Sequence, residues 1–305
     1  MEQFDAVAYI NTPRWQTVNL GLDRTRLLMK KLGNPQDQLK FVHVAGTNGK
    51  GSTCVYTAHI LQAAGYTTGM FTSPYIETFE ERIQVNGQLI SIDELTKVTL
   101  DVKERAEEVE RETGEHPTEF ELMTAVALCH FARCNCDIVV LEVGLGGRLD
   151  STNIIDAPEV CAIARIGLDH TALLGDTLAQ VAGEKAGIIK QGSAVVSYPQ
   201  DPEAAAVIAQ AAAQVGSPVA QPDFSQLSTG NTALVPDEDG CELLVRTFSY
   251  GEYQDLHTAL LGEYQPGNAA FAIEIIRALQ QRGWNISPEH VRAGIQAARW
   301  PGRFE

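Results

Sequence analysis

The chain has 305 residues, of which 44% are hydrophobic and 20% are charged, a composition typical of a globular protein with a sizeable core. Its formal net charge of −16, from 23 basic and 39 acidic residues, excludes general binding to a nucleic-acid backbone. A surface this acidic also repels a free nucleotide, so any phosphate site must supply local cations such as a lysine or a divalent metal ion.

The sequence carries no membrane or export signal. No apolar run approaches the roughly 18 residues that a membrane span needs, and the N-terminus lacks the basic and apolar regions of a secretory signal. The six cysteines lack the spacing of a zinc site, because Cys134 and Cys136 form a C-x-C with no second pair. We expect a cytoplasmic protein with reduced, buried thiols and with neither membrane nor nucleic acid as a partner.

Helices are predicted at the start of the chain. A short amphipathic piece covers residues 5–9, and a longer helix covers 20–32 before Gly33, Asn34 and Pro35 end it. The basic residues of 20–32 are interpreted as a solvated face.

Residues 40–53, KFVHVAGTNGKGST, predict a phosphate-binding loop between a buried strand and a helix at 54–64. Glycines let backbone N–H groups approach an anion, the helix start adds partial positive charge, and Lys50 adds a full one. The stretch departs from G-x-x-x-x-G-K-[ST], because Val44 stands in place of the first glycine and Gly51 follows the lysine. A glycine-rich turn without a ligand is the alternative, but the strand, the helix and the lysine favour phosphate.

Strands and helices alternate over the rest of the chain. A loop is expected at 74–83, a capping box at Thr118 and Glu121, and small peripheral hairpins at 216–250. This alternation predicts an α/β fold with a mainly parallel sheet flanked by helices and a small peripheral β region. The predicted strands are 66–72, 83–90 with a turn at Asn86 and Gly87, 137–143, 159–166 and 193–198, and the helices are 92–112, 118–132, 177–190, 202–215, 267–282 and 288–298.

Polar residues follow the predicted strands: Lys50 the first, Ser73 the second, Glu142 the third and His170 the fourth. Ligands bind at the carboxyl ends of parallel strands, so one ligand could touch all four. Their oxygen and nitrogen donors suit Mg²⁺ or Mn²⁺. Ser73 and His170 taken alone could be turn or loop residues, whereas a carboxylate such as Glu142 inside a buried strand is costly unless it is paired or metal-bound.

Six motifs in this order resemble those of folylpolyglutamate synthase and the bifunctional dihydrofolate synthase/folylpolyglutamate synthase, which belong to the Mur ligase superfamily. They are GTNGKGS at 46–52, TSP at 72–74, ERI at 81–83, LEVGLGGRLD at 141–150, LDH at 168–170 and EKAGI at 184–188. The resemblance implies a P-loop-type mononucleotide-binding domain, the Mur ligase central domain, at 1–298 and the start of a linker at 299–305. It also implies a second, glutamate-binding domain that this sequence lacks, so we expect an N-terminal ATPase domain.

The resemblance further implies site residues. The catalytic residues would be Lys50, Lys185 and His170, and the ATP contacts would be Gly49, Lys50, Gly51, Ser52, Asn268 and Arg303. Two Mg²⁺ ions, with Mn²⁺ as a substitute and K⁺ as an additional cation, would be held by Ser73, Glu142, His170 and Lys185 as a carbamate. From its pattern alone, Lys185 is instead an exposed helix residue that faces Glu184 or solvent. The folate or dihydropteroate contacts would be Asn19, Leu20, Gly21, Leu22, Pro74, Tyr75, Arg82, Thr118, Glu119, Phe120, Glu121, Leu149, Asp150 and Ser151. Among these, Tyr75 departs from the histidine or phenylalanine that is common at this position in the family.

The implied activity is that of an ATP-dependent ligase, a monomer of folate biosynthesis and one-carbon metabolism. It would add L-glutamate to a reduced folate, to 7,8-dihydropteroate or to both, through an acyl phosphate, and we expect little activity from the 305 residues alone. A Mur-type muropeptide ligase is an alternative that the GKGS and ERI segments disfavour. A non-catalytic nucleotide-binding remnant is another, which the intact Lys50, Glu142, His170 and Lys185 disfavour.

Overall fold

The structure is a computed structural model that describes residues 4–12, 21–236, 240 and 242–300. The helices are α1 (Ala6–Ile10), α2 (Asp23–Lys31), α3 (Lys50–Ala63), α4 (Ile92–Thr113), α5 (Glu119–Arg133), α6 (Thr171–Leu174), α7 (Leu178–Ala186), α8 (Pro202–Gln214), α9 (Gln265–Gln281) and α10 (Pro288–Ala297). The strands are β1 (Phe41–Ala45), β2 (Thr68–Phe71), β3 (Ile83–Val85), β4 (Gln88–Leu89), β5 (Ile138–Glu142), β6 (Val160–Ile163), β7 (Ala194–Ser197), β8 (Val219–Ala220), β9 (Leu227–Pro236), β10 (Glu242–Tyr250) and β11 (Tyr253–Thr258). Short 3₁₀ turns lie at Pro35–Gln38, Phe79–Arg82, Ser151–Ile154 and Phe224–Gln226.

The expected α/β fold with a mainly parallel sheet is confirmed. Eight strands form one sheet in the order β4-β3-β2-β5-β1-β6-β7-β8, in which β2, β5, β1, β6, β7 and β8 run parallel. The antiparallel hairpin β3–β4 forms one edge, and its turn is the predicted pair Asn86 and Gly87, both at positive φ. Strand β1 lies in the centre and all five of its residues are buried, so the loop that follows it is placed in the middle of the sheet edge.

Helices cover both faces of this sheet. Alternate residues such as Val42 and Val44 of β1 pack on one face with α3, α9 and α10, where the antiparallel sheet β11-β10-β9 also joins the core. Phe41 points to the opposite face, which is covered by α1, α2, α4 and α5. Helices α7 and α8 cover that face beyond Ala45. The carboxyl ends of the strands thus stay open between two helical layers.

Several helices and strands of the structure differ in extent or in sheet membership from those predicted. Helix α3 begins at Lys50 rather than at residue 54, so the lysine belongs to the first helical turn. Helix α7 ends at Ala186 instead of 190. Gly187 follows it so close to Arg148 that a Cβ there would lie 2.4 Å from the Arg148 Cβ. The short helix α6 was not predicted, and β8 joins the main sheet rather than the peripheral hairpins.

The basic residues of α2 form a solvated face only in part: Arg26 and Lys30 are exposed as predicted, whereas for Arg24 and Lys31 that interpretation is wrong. The Arg24 side chain is only 10% exposed and pairs with Glu121 and Glu115. Lys31 is 16% exposed and pairs with Glu108 and Glu112. These cations join α2 to α4 and α5, an arrangement that a local sequence pattern does not encode.

Within the described part of the chain, none of the helices is both long and apolar enough to cross a lipid bilayer.

Candidate active site

The loop between β1 and α3 presents backbone N–H groups to a cavity of about 520 Å³. The N–H groups of Thr47 and Asn48 donate to the carbonyl oxygen of Arg165, which anchors the loop to the end of β6. Gly49 precedes the helix with φ of 85°, a conformation that favours glycine. The N–H groups of Gly51 and Ser52 have no protein acceptor among the described residues. Free N–H groups at a helix start are suited to bind a phosphate.

Helix α9 lines the other side of this phosphate cavity. Asn268, one of the predicted ATP contacts, is buried and sits so close to the loop that a Cβ on Gly49 would lie 2.7 Å from its Oδ1. Its Nδ2 donates to Gln265 Oε1 at 3.2 Å, and Gln265 Nε2 donates to Ser52 Oγ at 3.2 Å. The start of α9 is therefore linked to the phosphate loop by side-chain hydrogen bonds.

Two lysines meet at one carbonyl oxygen beneath the loop. Lys185 Nζ donates to Gly46 O at 2.8 Å and Lys50 Nζ donates to the same oxygen at 3.1 Å. Lys185 is only 4% exposed, so its interpretation as an exposed helix residue is wrong. Burial, reinforced by the charge of Lys50, lowers the pKa of Lys185 to about 8.

The four predicted metal ligands fall into two neighbouring cavities. Ser73 and Glu142 line the phosphate cavity, where the Ser73 N–H donates to Glu142 Oε2 at 3.1 Å. His170 and Lys185 line a second, small cavity of about 30 Å³. Lys50 lines both cavities. No group of three or more His, Cys, Asp or Glu side chains suited to a metal ion occurs in the described ranges, so a metal here would need a hydroxyl or a modified lysine among its ligands.

A larger cavity of about 590 Å³ opens on the opposite side of Ser73 and Pro74, which line both it and the phosphate cavity. Ten of the predicted substrate residues line this larger cavity: Gly21, Pro74, Arg82, Thr118, Glu119, Phe120, Glu121, Leu149, Asp150 and Ser151. Leu22 is buried away from it. Tyr75 contacts it only through Arg82. Asn19, Leu20 and the predicted ATP contact Arg303 lie outside the described residues.

A buried ion pair forms one wall of the larger cavity. Glu121, at the third position of α5, accepts from Arg24 Nε at 2.7 Å and from Thr25 Oγ1 at 2.9 Å. It also accepts from the N–H of Thr118 at 2.7 Å and so closes the predicted capping box, which is confirmed. One carboxylate thus caps α5 and fixes α2 against it.

A second buried carboxylate, Asp150, also lines the larger cavity. Asp150 accepts from the N–H groups of Leu145 at 2.8 Å and Thr152 at 2.9 Å, and it thereby holds the glycine-rich turn after β5. Burial raises the pKa of Asp150, and these hydrogen bonds oppose that rise. Gly144 must be small, because a Cβ there would lie 2.4 Å from Phe120. Asp150 therefore shapes the turn, whether or not it also touches a ligand.

Arg165, Tyr198 and Tyr264 line the phosphate cavity and were not predicted, and neither was Gln265, which donates to Ser52 in the loop. Arg165 and Tyr198 closely follow β6 and β7. The strand-end rule that selected Ser73 and Glu142 could therefore have found them. Tyr264 and Gln265 come from the start of α9, which follows an antiparallel region, and only the tertiary fold brings them to the loop.

Residues 44–276 match the Mur ligase middle domain family. The chain is 41% identical to a dihydrofolate synthase/folylpolyglutamate synthase of Bacillus subtilis, over 99% of this chain and 69% of the relative. It is 37% identical to a folylpolyglutamate synthase (FPGS) of Lacticaseibacillus casei, over 100% of this chain and 71% of the relative. A solved FPGS-AMPPCP-folate complex has a TM-score of 0.88 at 37% identity, covering 98% of this chain and 72% of that one. Mycobacterium tuberculosis folylpolyglutamate synthase with ADP and AMPPCP has a TM-score of 0.83 at 31% identity, covering 94% of this chain and 64% of that one.

Proposed function

Because the chain belongs to the family of folylpolyglutamate and dihydrofolate synthases, ATP-dependent ligases that contain the Mur ligase middle domain, we propose that it serves the same reaction. Its substrates are ATP, L-glutamate and a pterin-linked carboxylic acid, namely a reduced folate, 7,8-dihydropteroate or both. The muropeptide and remnant alternatives have no observation in their favour.

The observation that carries this proposal is the junction of two cavities at Ser73 and Pro74. One cavity contains the free N–H groups of the phosphate loop and Lys50, which suit a nucleotide. The other is larger, with an apolar share supplied by Phe120, Met123 and Leu174, as a flat pterin would need. Two substrates bound in these cavities would meet where a phosphoryl group could pass between them.

In the proposed reaction, a carboxylate oxygen of the pterin-linked acid takes the γ-phosphoryl group of ATP, and ADP leaves. The amine of L-glutamate then attacks the acyl phosphate, phosphate leaves, and an amide remains. Lys50 and the N–H groups of Gly51 and Ser52 neutralise charge on the transferring group, which is where most catalysis of phosphoryl transfer lies.

Ser73 and Glu142 are proposed to hold Mg²⁺, because a hydroxyl and a carboxylate are oxygen donors of the kind that Mg²⁺ prefers. Bound Mg²⁺ would supply further positive charge beside the phosphates. A second ion at His170 and Lys185 requires the Lys185 carbamate, since an amine that donates to Gly46 O offers no oxygen ligand. The pKa of Lys185 near 8 favours this modification, because only the neutral amine reacts with CO₂. Mn²⁺ would suit the same donors, and K⁺ is proposed as an additional cation.

Calorimetric titration of the 305-residue chain tests this function with AMPPCP and Mg²⁺, with dihydropteroate and with a UDP-muropeptide. We expect saturable binding of the first two and none of the third. Lys50→Ala should weaken AMPPCP binding about tenfold or more, since it removes a charge-assisted contact, while dihydropteroate affinity stays within about twofold of wild type. Binding of the UDP-muropeptide in place of dihydropteroate would overturn the proposal.

A further inference from the structure

Arg82 is a buried cation at the side of the larger cavity that adjoins Ser73 and Pro74. It is 9% exposed and is one of three arginines that line this cavity. Its guanidinium lies over the ring of Tyr75, 4.8 Å from the centroid, and 5.8 Å from the centroid of Phe79. Two aromatic rings therefore flank the guanidinium of an arginine that also lines the cavity.

No carboxylate neutralises Arg82 within the described part of the chain. It forms no ion pair or side-chain hydrogen bond there, and its Nε is buried without a partner. Glu119 and Glu142 favour its charge only through longer-range attraction. The other two arginines of the cavity are paired, Arg24 with Glu115 and Glu121 and Arg148 with Glu184. A buried guanidinium without a partner is costly, so Arg82 is suited to an anion that arrives with a ligand.

The position of Arg82 indicates which ligand supplies that anion. Arg82 lines the larger cavity and not the phosphate cavity, where Lys50 and the loop N–H groups already face the nucleotide. The planar fork of a guanidinium matches a carboxylate in a bidentate pair. We infer that Arg82 binds the reacting carboxylate of the pterin-linked acid and holds it beside Ser73, at the junction with the phosphate cavity.

This inference rests on the proposed function and assigns a distinct role to Tyr75. Tyr75 does not line the cavity, yet its ring covers the guanidinium. Tyr75 is therefore a positioning residue that acts through Arg82.

The test compares pteroate with pteroate carboxamide, two ligands that differ only in the charge of the group that Arg82 would bind. Titrations use the 305-residue chain as wild type, Arg82→Gln, Arg82→Lys and Arg148→Gln. Wild type should prefer pteroate by about tenfold or more, the range expected for a charge-assisted hydrogen-bonded pair. Arg82→Gln should bind both ligands within about twofold of each other, and Arg82→Lys should keep an intermediate preference.

Persistence of the full preference in Arg82→Gln would overturn the inference. Loss of the preference in Arg148→Gln instead would do the same and assign the carboxylate to Arg148. AMPPCP binding by each variant reports that the fold is intact. If Arg82→Gln no longer binds AMPPCP, Arg82→Lys takes its place in the test: a reduced preference for pteroate supports the inference, and the full wild-type preference overturns it. Absence of binding of both pteroate ligands and of a reduced folate to wild type would refute the proposed function itself, a result separate from failure of the Arg82 contact.

Discussion

The position of Lys185 in the fold disfavours the charged form of its amine. The amine is almost fully buried next to Lys50, which lowers its pKa to about 8. Between pH 8 and 10.5 the unfolded chain keeps this proton while the folded chain releases it, so the free energy of unfolding rises with pH in that window. The rise should be on the order of 3 kcal/mol. It is measured in CO₂-free buffer as the difference between wild type and Lys185→Met; a difference that stays flat from pH 8 to 10.5 would contradict it.

Gly49 and Gly33 have the same backbone conformation but different surroundings. Their φ values are 85° and 82°, yet a Cβ on Gly49 would lie 2.7 Å from Asn268 Oδ1, whereas Gly33 has nothing within 4 Å. Both alanine variants should lose about 1–2 kcal/mol of stability from backbone strain. Only Gly49→Ala should also lower AMPPCP affinity, by about tenfold or more, because it displaces a side chain of the phosphate cavity. Equal nucleotide affinity of the two variants would show that this close approach does not matter.

At the scale of elements, the start of α5 depends on one carboxylate. Glu121 caps the helix and holds Arg24, whereas Glu115 pairs with the same arginine from a position that is 48% exposed. Glu121→Gln should lower the free energy of unfolding by about 3 kcal/mol, since it leaves a buried cation partly unpaired. Glu115→Gln should cost less than about 1 kcal/mol because the Glu115 carboxylate is about half exposed to solvent. Urea unfolding of both variants checks this; similar losses would mean that burial does not distinguish the two pairs.

Helix α10 packs on α3 through a glycine. A Cβ on Gly294 would lie 2.4 Å from the Cα of Ile60, so the two helix backbones are in direct contact. Gly294→Ala should destabilise the protein by about 1–3 kcal/mol through overpacking. Gly183→Ala in α7, where nothing lies within 4 Å of a Cβ, should instead stabilise it by about 0.5–1 kcal/mol. Thermal unfolding with opposite shifts for the two variants is the expected outcome, and shifts of the same sign would contradict it.

Local chemistry explains which elements the sequence could predict. The turn at Asn86 and Gly87 and the capping box at Thr118 and Glu121 depend on residues within four positions of each other, and both are confirmed. The burial of Arg24 depends on Glu121, 97 positions away, so its local sequence suggested a solvated face. The close contact between Gly187 and Arg148 just after α7 joins two distant parts of the chain, which no helical periodicity contains.

At the scale of the molecule, the sheet explains how much of the site was predictable. Parallel strands end at one edge, so a list of residues after strands placed Ser73, Glu142 and Lys50 around one cavity. The same rule could not show that His170 and Lys185 line a separate cavity that also includes Lys50. How deeply a side chain lies below the edge of the sheet depends on the packing of the helices around it. The rule also could not show that Arg82 lacks a protein partner, since that depends on every carboxylate nearby.

The 305 residues, assayed by themselves, should bind the proposed substrates but ligate them poorly. They span 69% and 71% of the length of two relatives. The described residues contain the phosphate loop and the larger cavity, so we expect them to bind AMPPCP and pteroate. Amide formation also needs the amine of glutamate held against the acyl phosphate, since positioning of both partners supplies a large part of the acceleration. We therefore expect the 305 residues to incorporate labelled glutamate into dihydropteroate at less than about one-hundredth of the rate of the full-length Lacticaseibacillus casei relative assayed with its own folate substrate. Saturable binding of AMPPCP and pteroate in the same preparation is the control, and glutamate incorporation at a rate comparable to the relative would contradict the prediction.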